Sequence, residues 1–174
     1  MRRLLVPLAS AAALAAAACS PALNWREFQP EGSGVVASFP CKPDRHTRSV
    51  KLAVQPVRIE LIACAADGTQ FALSYFDLDD PVRVSAALTE LQRLAAANLG
   101  AKEPRAQRAV VPGMTPNPEA AKLILEGRQP DGSMLHEEAV FFAKGLRVYQ
   151  ATVLGRRLAP GAAETFFAGL RLPG

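Results

Sequence analysis

The fold of this chain is constrained most by the period-two apolar pattern between Val50 and Tyr75. Apolar side chains alternate with polar ones on both sides of the sequence Ala-Ala-Asp-Gly at 65–68. A period of two is typical of half-buried β-strands, and Asp-Gly is a favoured two-residue hairpin turn. The sequence therefore predicts an antiparallel hairpin, with a break at Pro56. Its apolar positions are Val50, Leu52, Val54, Val57, Ile59, Leu61, Ala63, Phe71, Leu73 and Tyr75.

The period changes to that of a helix after Asp77. Asp79 or Asp80 is a natural N-cap, Pro81 suits the first helical position, and Gly100 suits the residue after the C-terminus. The three aspartates lack the spacing and the closing glutamate of a calcium-binding loop, so capping is the favoured interpretation. The predicted buried face consists of Val84, Leu88, Leu91, Ala95 and Leu99.

A second hairpin is predicted near the start of the domain, where apolar segments flank the cluster Pro30-Glu-Gly-Ser-Gly34. Pro40 and Pro43 then end strand pairing. Residues 42–48 are mostly basic and predict a solvated loop, or alternatively a contact patch for anionic lipid headgroups. The two flanking segments are Trp25–Phe28 and Val35–Phe39.

The C-terminal third predicts one short strand within residues 105–111 and then an antiparallel meander, because short turns join its strands. A last helix should lay Phe166 and Phe167 on the sheet. This order of elements predicts an α+β fold, an antiparallel sheet with one long helix and one short C-terminal helix packed on it. The meander strands are Ala121–Glu126, Met134–Phe142 and Leu146–Leu154.

The first eighteen residues have the features of a secretory leader. Arg2 and Arg3 form a charged start, and the uncharged run from Leu4 to Ala18 is shorter than the ~20 residues that span a bilayer. Small residues precede Cys19, and this resembles the lipobox of bacterial lipoproteins, although Ala16 stands where that motif usually has leucine. Residues 1–18 are therefore expected to be a signal peptide. Ordinary secretory cleavage after Ala-x-Ala stays open.

The resemblance implies that Cys19 carries the lipid, followed by a short linker over 19–23 and a single domain over 24–174. Ser20, rather than aspartate, follows the cysteine, a pattern similar to that of lipoproteins sent to the outer membrane. The expected location is the periplasm, anchored to the inner leaflet of the outer membrane. The alternative is a soluble periplasmic or secreted protein.

The number of cysteines fits this interpretation. The chain has three, Cys19, Cys41 and Cys64, and an odd thiol is a liability in an oxidising compartment. With Cys19 acylated, Cys41 and Cys64 remain to form a disulfide, or else two buried thiols. Cys41 and His46 have no second ligand pair at metal-binding spacing, so no metal site is expected.

Charge argues against nucleic acid as a partner. Cleavage after residue 18 leaves 156 residues, enough for one domain with a real core. It also lowers Lys and Arg from 20 to 18 against 16 Asp and Glu. A nearly neutral, exported domain lacks the strongly basic face of a nucleic-acid-binding protein.

Several segments resemble the PsbP-like domain. They run from Glu31-Gly-Ser-Gly34 through Phe39-Pro-Cys-Lys-Pro43, and include Leu73-Ser-Tyr-Phe76, Val148-Tyr-Gln-Ala-Thr-Val153 and Phe166-Phe-Ala-Gly-Leu170. The resemblance spans residues 24–172. It implies an α/β/α sandwich and a non-enzymatic role in binding or assembly, and it assigns no functional residue.

Catalytic motifs are scarce in the sequence. It contains no nucleophile elbow, phosphate-binding glycine loop, zinc-protease helix or dinucleotide fingerprint. No cofactor and no enzymatic activity are expected. We therefore expect a lipid-anchored periplasmic accessory domain that binds an envelope protein or assembly. The alternative is a small-ligand carrier or enzyme using His136 and Glu138, which share one face of a predicted strand.

Overall fold

The computed structural model describes residues 23–52 and 55–174. The predicted signal peptide, the predicted lipidation site Cys19, most of the predicted linker and Val54 of the alternating pattern lie outside these residues. The described part of the chain contains nine strands and two helices. In chain order they are β1 Arg26–Phe28, β2 Ala37–Phe39, β3 Asp44–Leu52, β4 Gln55–Ala66, β5 Thr69–Asp77, α1 Arg83–Leu99, β6 Arg105–Arg108, β7 Ala121–Arg128, β8 Met134–Lys144, β9 Arg147–Gly155 and α2 Ala162–Ala168.

Seven of these strands form one antiparallel sheet in the order β3-β4-β5-β9-β8-β7-β6. The predicted α+β class is thus confirmed. The Asp67-Gly68 turn joins β4 to β5 with positive φ angles of 50° and 69°, as a hairpin turn of this type requires. The predicted meander is confirmed as β7, β8 and β9. β5 and β9, from distant parts of the chain, join the two halves of the sheet.

The N-terminal hairpin forms a separate two-stranded sheet of β1 and β2, as predicted. α2 packs against β2 and β9. This layer therefore covers one face of the large sheet. Phe166 of α2 is fully buried there and meets Phe39 and Phe71 edge-on, with ring centroids 5.2 and 5.6 Å apart.

α1 covers the opposite face, packing on β7, β8 and β9. All five residues predicted for its buried face are buried, and Gly100 ends the helix in the left-handed conformation. Phe141 and Phe142 show that the sheet has a core on each side. Phe141 belongs to the core under α1, whereas Phe142 belongs to the core under α2.

The start of α1 differs from the prediction. The first helical residue is Arg83, and Val82 at the N-cap makes no side-chain capping bond. The Asp80 carboxylate instead accepts a hydrogen bond from the Val82 N–H at 2.9 Å. The Asp-Asp-Pro sequence therefore forms a turn that precedes the helix, and an aspartate in such a turn binds the backbone two residues on.

The prediction of a solvated basic loop at residues 42–48 was also wrong, because residues from Asp44 onward form the edge strand β3. Seven of its nine residues are exposed, so the strand has almost no apolar signal to detect. Charged side chains are common on edge strands, where they oppose pairing with other chains. The interruption predicted at Pro56 lies slightly earlier, because β3 ends at Leu52 and β4 begins at Gln55. Pro56 is the second residue of β4, and proline is tolerated near a strand end.

A disulfide joins Cys41 to Cys64, as predicted, with Cα atoms 6.0 Å apart. The register explains how they meet. Asp44, at the start of β3, pairs with Ala63 of β4, so Cys41 lies just beyond the end of β3 and beside Cys64. The bond ties the segment between the two sheets to β4.

Candidate functional site

A strip of polar side chains crosses the large sheet next to the turn at residues 30–34. It lines a cavity of about 330 Å³. The register places Glu60, Tyr75 and Tyr149 in one row across β4, β5 and β9. The members of this arginine strip are Arg45, Arg58, Glu60, Tyr75, Asp77 and Arg147.

Glu60 is the acceptor at the centre of the strip. Its carboxylate accepts hydrogen bonds from Arg45 Nε and Thr47 Oγ1 at 3.0 Å and from Arg58 Nε at 3.3 Å. The bond from Arg45 is the main cause that holds the pKa of Glu60 below its usual value. Glu60 is therefore a charged partner for the arginines rather than a proton donor.

Arg147 binds Asp77 through two parallel bonds of 2.6 Å, the strongest geometry for an arginine–carboxylate pair. The bonded Arg147 keeps the pKa of Asp77 low, and the pKa of Arg147 is raised in return. Its remaining nitrogen donates to the Gly32 carbonyl, and Arg45 donates to the Glu31 carbonyl at 3.1 Å. The strip thus holds the turn against the sheet.

Tyr149, on β9 of the large sheet, binds the same turn. Its hydroxyl donates to the Ser33 carbonyl at 2.8 Å, and burial is the main cause that raises its pKa to about 12. Gly34 has a φ of 68°, and a Cβ there would lie 3.4 Å from the Tyr149 hydroxyl. Since these contacts use the donors of Arg45, Arg147 and Tyr149 on the protein itself, we assign the strip a structural role.

His136 and Glu138 each contact a different partner. His136 Nδ1 lies 3.8 Å from Glu126 Oε1. Lys122 Nζ lies 2.7 Å from Glu138 Oε2 and 5.2 Å from the centre of the Phe167 ring. The Lys122–Glu138 contact is an ion pair without hydrogen-bond alignment, because this buried oxygen accepts no hydrogen bond.

Both residues line one cavity of about 310 Å³, together with Arg105, Glu126 and Arg157. Arg105 Nη2 lies 3.7 Å from Glu126 Oε1, and the two side chains are more than half exposed. The cavity is therefore a solvated hollow of mixed charge. It offers binding groups for a small polar molecule, but His136 and Glu138 do not contact each other as an acid–base pair.

Glu137 is the unusual carboxyl of this region. It is only 8 % exposed, on the face covered by α1, where its neighbours across the strands are Leu125 and Leu154. It makes no ion pair or hydrogen bond with any described residue. Burial raises its pKa to about 7, so it holds a proton over much of the range in which an ordinary glutamate is ionised.

Part of the large sheet is less covered than the rest by the described residues. On the side of α1, the middle of β4 and β5 presents half-buried side chains, because α1 packs mainly on β7, β8 and β9. His46 and Arg48 of β3 lie at the exposed edge of the same face. The residues of this β4–β5 face are Leu61, Ala63, Ala72 and Ser74.

No protein-family model and no curated protein matches the chain. Among residues 23–52 and 55–174, no group of three or more His, Cys, Asp or Glu residues is arranged to hold a metal ion. No helix of these residues has the length and apolar character needed to cross a membrane.

Sequence reasoning missed the arginine strip and Glu137. The arginines come from β3, β4 and β9, and their meeting depends on the register of non-adjacent segments. The turn Glu31-Gly-Ser-Gly34 was the one available signal, since its glycines indicate a tight backbone that other residues must approach. For Glu137, the alternation of β8 does place it beside Ala139 and Phe141 on the buried face.

Proposed function

We propose that this protein is a lipid-anchored accessory domain of the bacterial periplasm that binds an envelope protein without catalysing a reaction. The β4–β5 face is the observation that carries the binding role. Its apolar residues Leu61, Ala63 and Ala72 are half-buried and lie beside the exposed, charged edge strand β3. A contiguous apolar patch rimmed by polar residues is typical of a protein–protein contact.

The edge of this face indicates the chemistry of the partner. His46 and Arg48 are exposed, and neither forms an ion pair with a described residue. Unpaired basic groups beside an apolar centre suit a partner whose surface is apolar in the middle and acidic at its rim, since complementary charge steers association. We infer that the partner is such a protein.

The anchor and the compartment rest on the leader and the disulfide. An oxidised Cys41–Cys64 pair suits an oxidising compartment, and acylation of Cys19 accounts for the third cysteine. The element order also suits the PsbP-like α/β/α arrangement, which is typical of binding rather than catalysis. The acylated end would place the protein at the inner leaflet of the outer membrane.

The anchor is tested at the mature N-terminus. We expect mass spectrometry to find a chain that begins at Cys19 and carries acyl groups, because the small residues before it suit lipoprotein processing. Cys19→Ser should release the protein from membranes without detergent, whereas Ser20→Ala should leave it bound. An unmodified N-terminus in the wild-type protein would refute the anchor.

Binding is tested by photo-crosslinking in cells. A crosslinking residue in place of Leu61 should give one discrete adduct with an envelope protein. The adduct should fall several-fold in an Arg48→Glu background, because that change reverses the charge at the rim. Arg108→Glu is the matched control, since Arg108 is also exposed and forms no ion pair with a described residue but lies on β6.

The same crosslinker in place of Val110, which is 81 % exposed, controls for random collisions. Equal yields of adduct from positions 61 and 110 would contradict the proposed binding face. A yield at position 61 that is unchanged by Arg48→Glu would contradict it as well.

The hollow at His136 and Glu138 supports a second candidate, a carrier of small polar ligands. Its two arginines, three glutamates and one histidine offer donors and acceptors within about 310 Å³. A small molecule retained by the purified protein in native mass spectrometry, and lost in His136→Ala, would favour this function over the first.

A further inference from the structure

An apolar groove lies where the chain enters the domain. It has a volume of about 450 Å³ and is walled by β1 and by the segment after β2. Phe28 is 41 % exposed in this groove although it is a large apolar side chain, and its ring stands edge-on to Phe39. This proline groove is lined by residues that include Arg26, Phe28, Phe39, Pro40, Lys42 and Pro43.

The position of the groove is fixed by two bonds. The Asn24 N–H donates to the Pro40 carbonyl at 3.0 Å, so the start of the domain forms part of the groove wall. The Cys41–Cys64 disulfide ties the opposite wall to β4. Residues 20–23 separate Cys19 from Asn24, and four extended residues reach only ~14 Å. A lipid on Cys19 would therefore hold this groove near the bilayer.

The charges of the groove favour an anionic surface. Arg26 and Lys42 are exposed and form no ion pair with a described residue. The acidic residue between them in the lining, Glu27, is already bound by Arg171 at 2.6 Å. The groove thus presents two free cations beside exposed apolar surface, a combination typical of proteins that lie on anionic membranes.

We propose that the proline groove is the face through which the domain lies on an anionic phospholipid bilayer. Phe28 enters the headgroup level, and Arg26 and Lys42 bind lipid phosphates. This inference rests on the proposed lipid anchor for its geometry, but the contact itself needs no acyl chain. It also gives the domain a fixed orientation, with the groove toward the membrane.

The test uses the acylated protein in vesicles of phosphatidylethanolamine and phosphatidylglycerol. Trp25, the one tryptophan of the chain, packs on Phe71 in the core, so the reporter is Phe28→Trp in a Trp25→Phe protein, and lipids brominated in the acyl chain should quench its fluorescence. Quenching should fall at least twofold in Arg26→Glu/Lys42→Glu. The control Lys102→Glu/Arg108→Glu makes the same change in net charge at exposed residues elsewhere. Its fluorescence should be quenched as strongly as that of the protein without either pair of changes.

A second arm removes the anchor. The Cys19→Ser protein should bind the anionic vesicles weakly, with an affinity that drops about tenfold or more on reversal of Arg26 and Lys42 and also drops with added salt. Charge reversal at Lys102 and Arg108 instead, in the same Cys19→Ser protein, should leave the affinity for vesicles unchanged. Inorganic phosphate alone should not displace the protein from the vesicles.

Equal quenching in all three acylated proteins would overturn the proposal that the groove is the membrane face. So would vesicle binding of the Cys19→Ser protein whose affinity is unchanged by charge reversal at Arg26 and Lys42. Displacement by millimolar inorganic phosphate would overturn it as well, since it would indicate a site for free phosphate. Failure of the lipid anchor is a separate result, because mass spectrometry of the N-terminus reports it.

Discussion

Replacing both Cys41 and Cys64 by serine is expected to lower the free energy of unfolding by about 3 kcal/mol. The disulfide spans 23 residues of sequence, so its loss frees a loop that includes all of β3 and much of β4 in the unfolded chain. Urea denaturation followed by circular dichroism measures the change. The effect is a large fraction of the stability of a typical domain, about 5–15 kcal/mol.

The wild-type protein under a thiol reductant provides the matched comparison. Its unfolding midpoint should move to that of the double serine variant, and the reductant should not move the variant further. Identical midpoints for oxidised wild type and variant would mean that the bond does not constrain the unfolded chain. The reduced protein should also lose the vesicle contact of the proline groove, because the segment at 41–43 forms one of its walls.

The local elements of this fold could be predicted because their signals are local. The Asp67-Gly68 turn, the five apolar positions of α1 and Gly100 after it each depend on neighbouring residues only. Residues 44–49 of β3 had no such signal. They are all charged or polar, and they form a strand because β4 offers a free edge to pair with, which a pattern of burial cannot reveal.

The arginine strip could not be predicted for a related reason. Arg147 and Asp77 are 70 positions apart. They meet because β9 pairs with β5, and the register of that pairing cannot be determined from the sequence alone. The two faces of the sheet, by contrast, could be inferred from Phe141 and Phe142, since adjacent apolar residues in a strand require burial on both sides.

Glu137→Gln is expected to raise the stability of the protein at pH 8 by on the order of 3 kcal/mol. Burial raises the pKa of Glu137 from 4.5 to about 7, so the folded protein favours the protonated form. Below pH 4.5 the group is protonated in both states, and its burial costs no ionisation energy. Between pH 4.5 and 7 the unfolded chain gives up its proton more readily, and the stability of the wild type should decrease as pH rises.

The variant isolates this effect from the other carboxylates. Glu60 and Asp77 have lowered pKa values, so their contributions are lost as pH falls through the acid range, which is the opposite direction. The difference between wild type and Glu137→Gln should be small at pH 4 and reach its full value above pH 7. Glu164→Gln, at an exposed position on α2, is the control and should change stability by less than about 0.5 kcal/mol at either pH.

A constant difference across pH would mean that Glu137 titrates like an ordinary carboxyl and has access to water. The expected pH-dependent difference has a consequence for the β4–β5 face. Glu137 lies in the core under α1, between Leu125 and Leu154, and ionisation would weaken the packing of α1 on β7, β8 and β9. Since α1 bounds the β4–β5 face, a partner held on that face should bind more tightly at pH 5 than at pH 8, and Glu137→Gln should reduce this dependence.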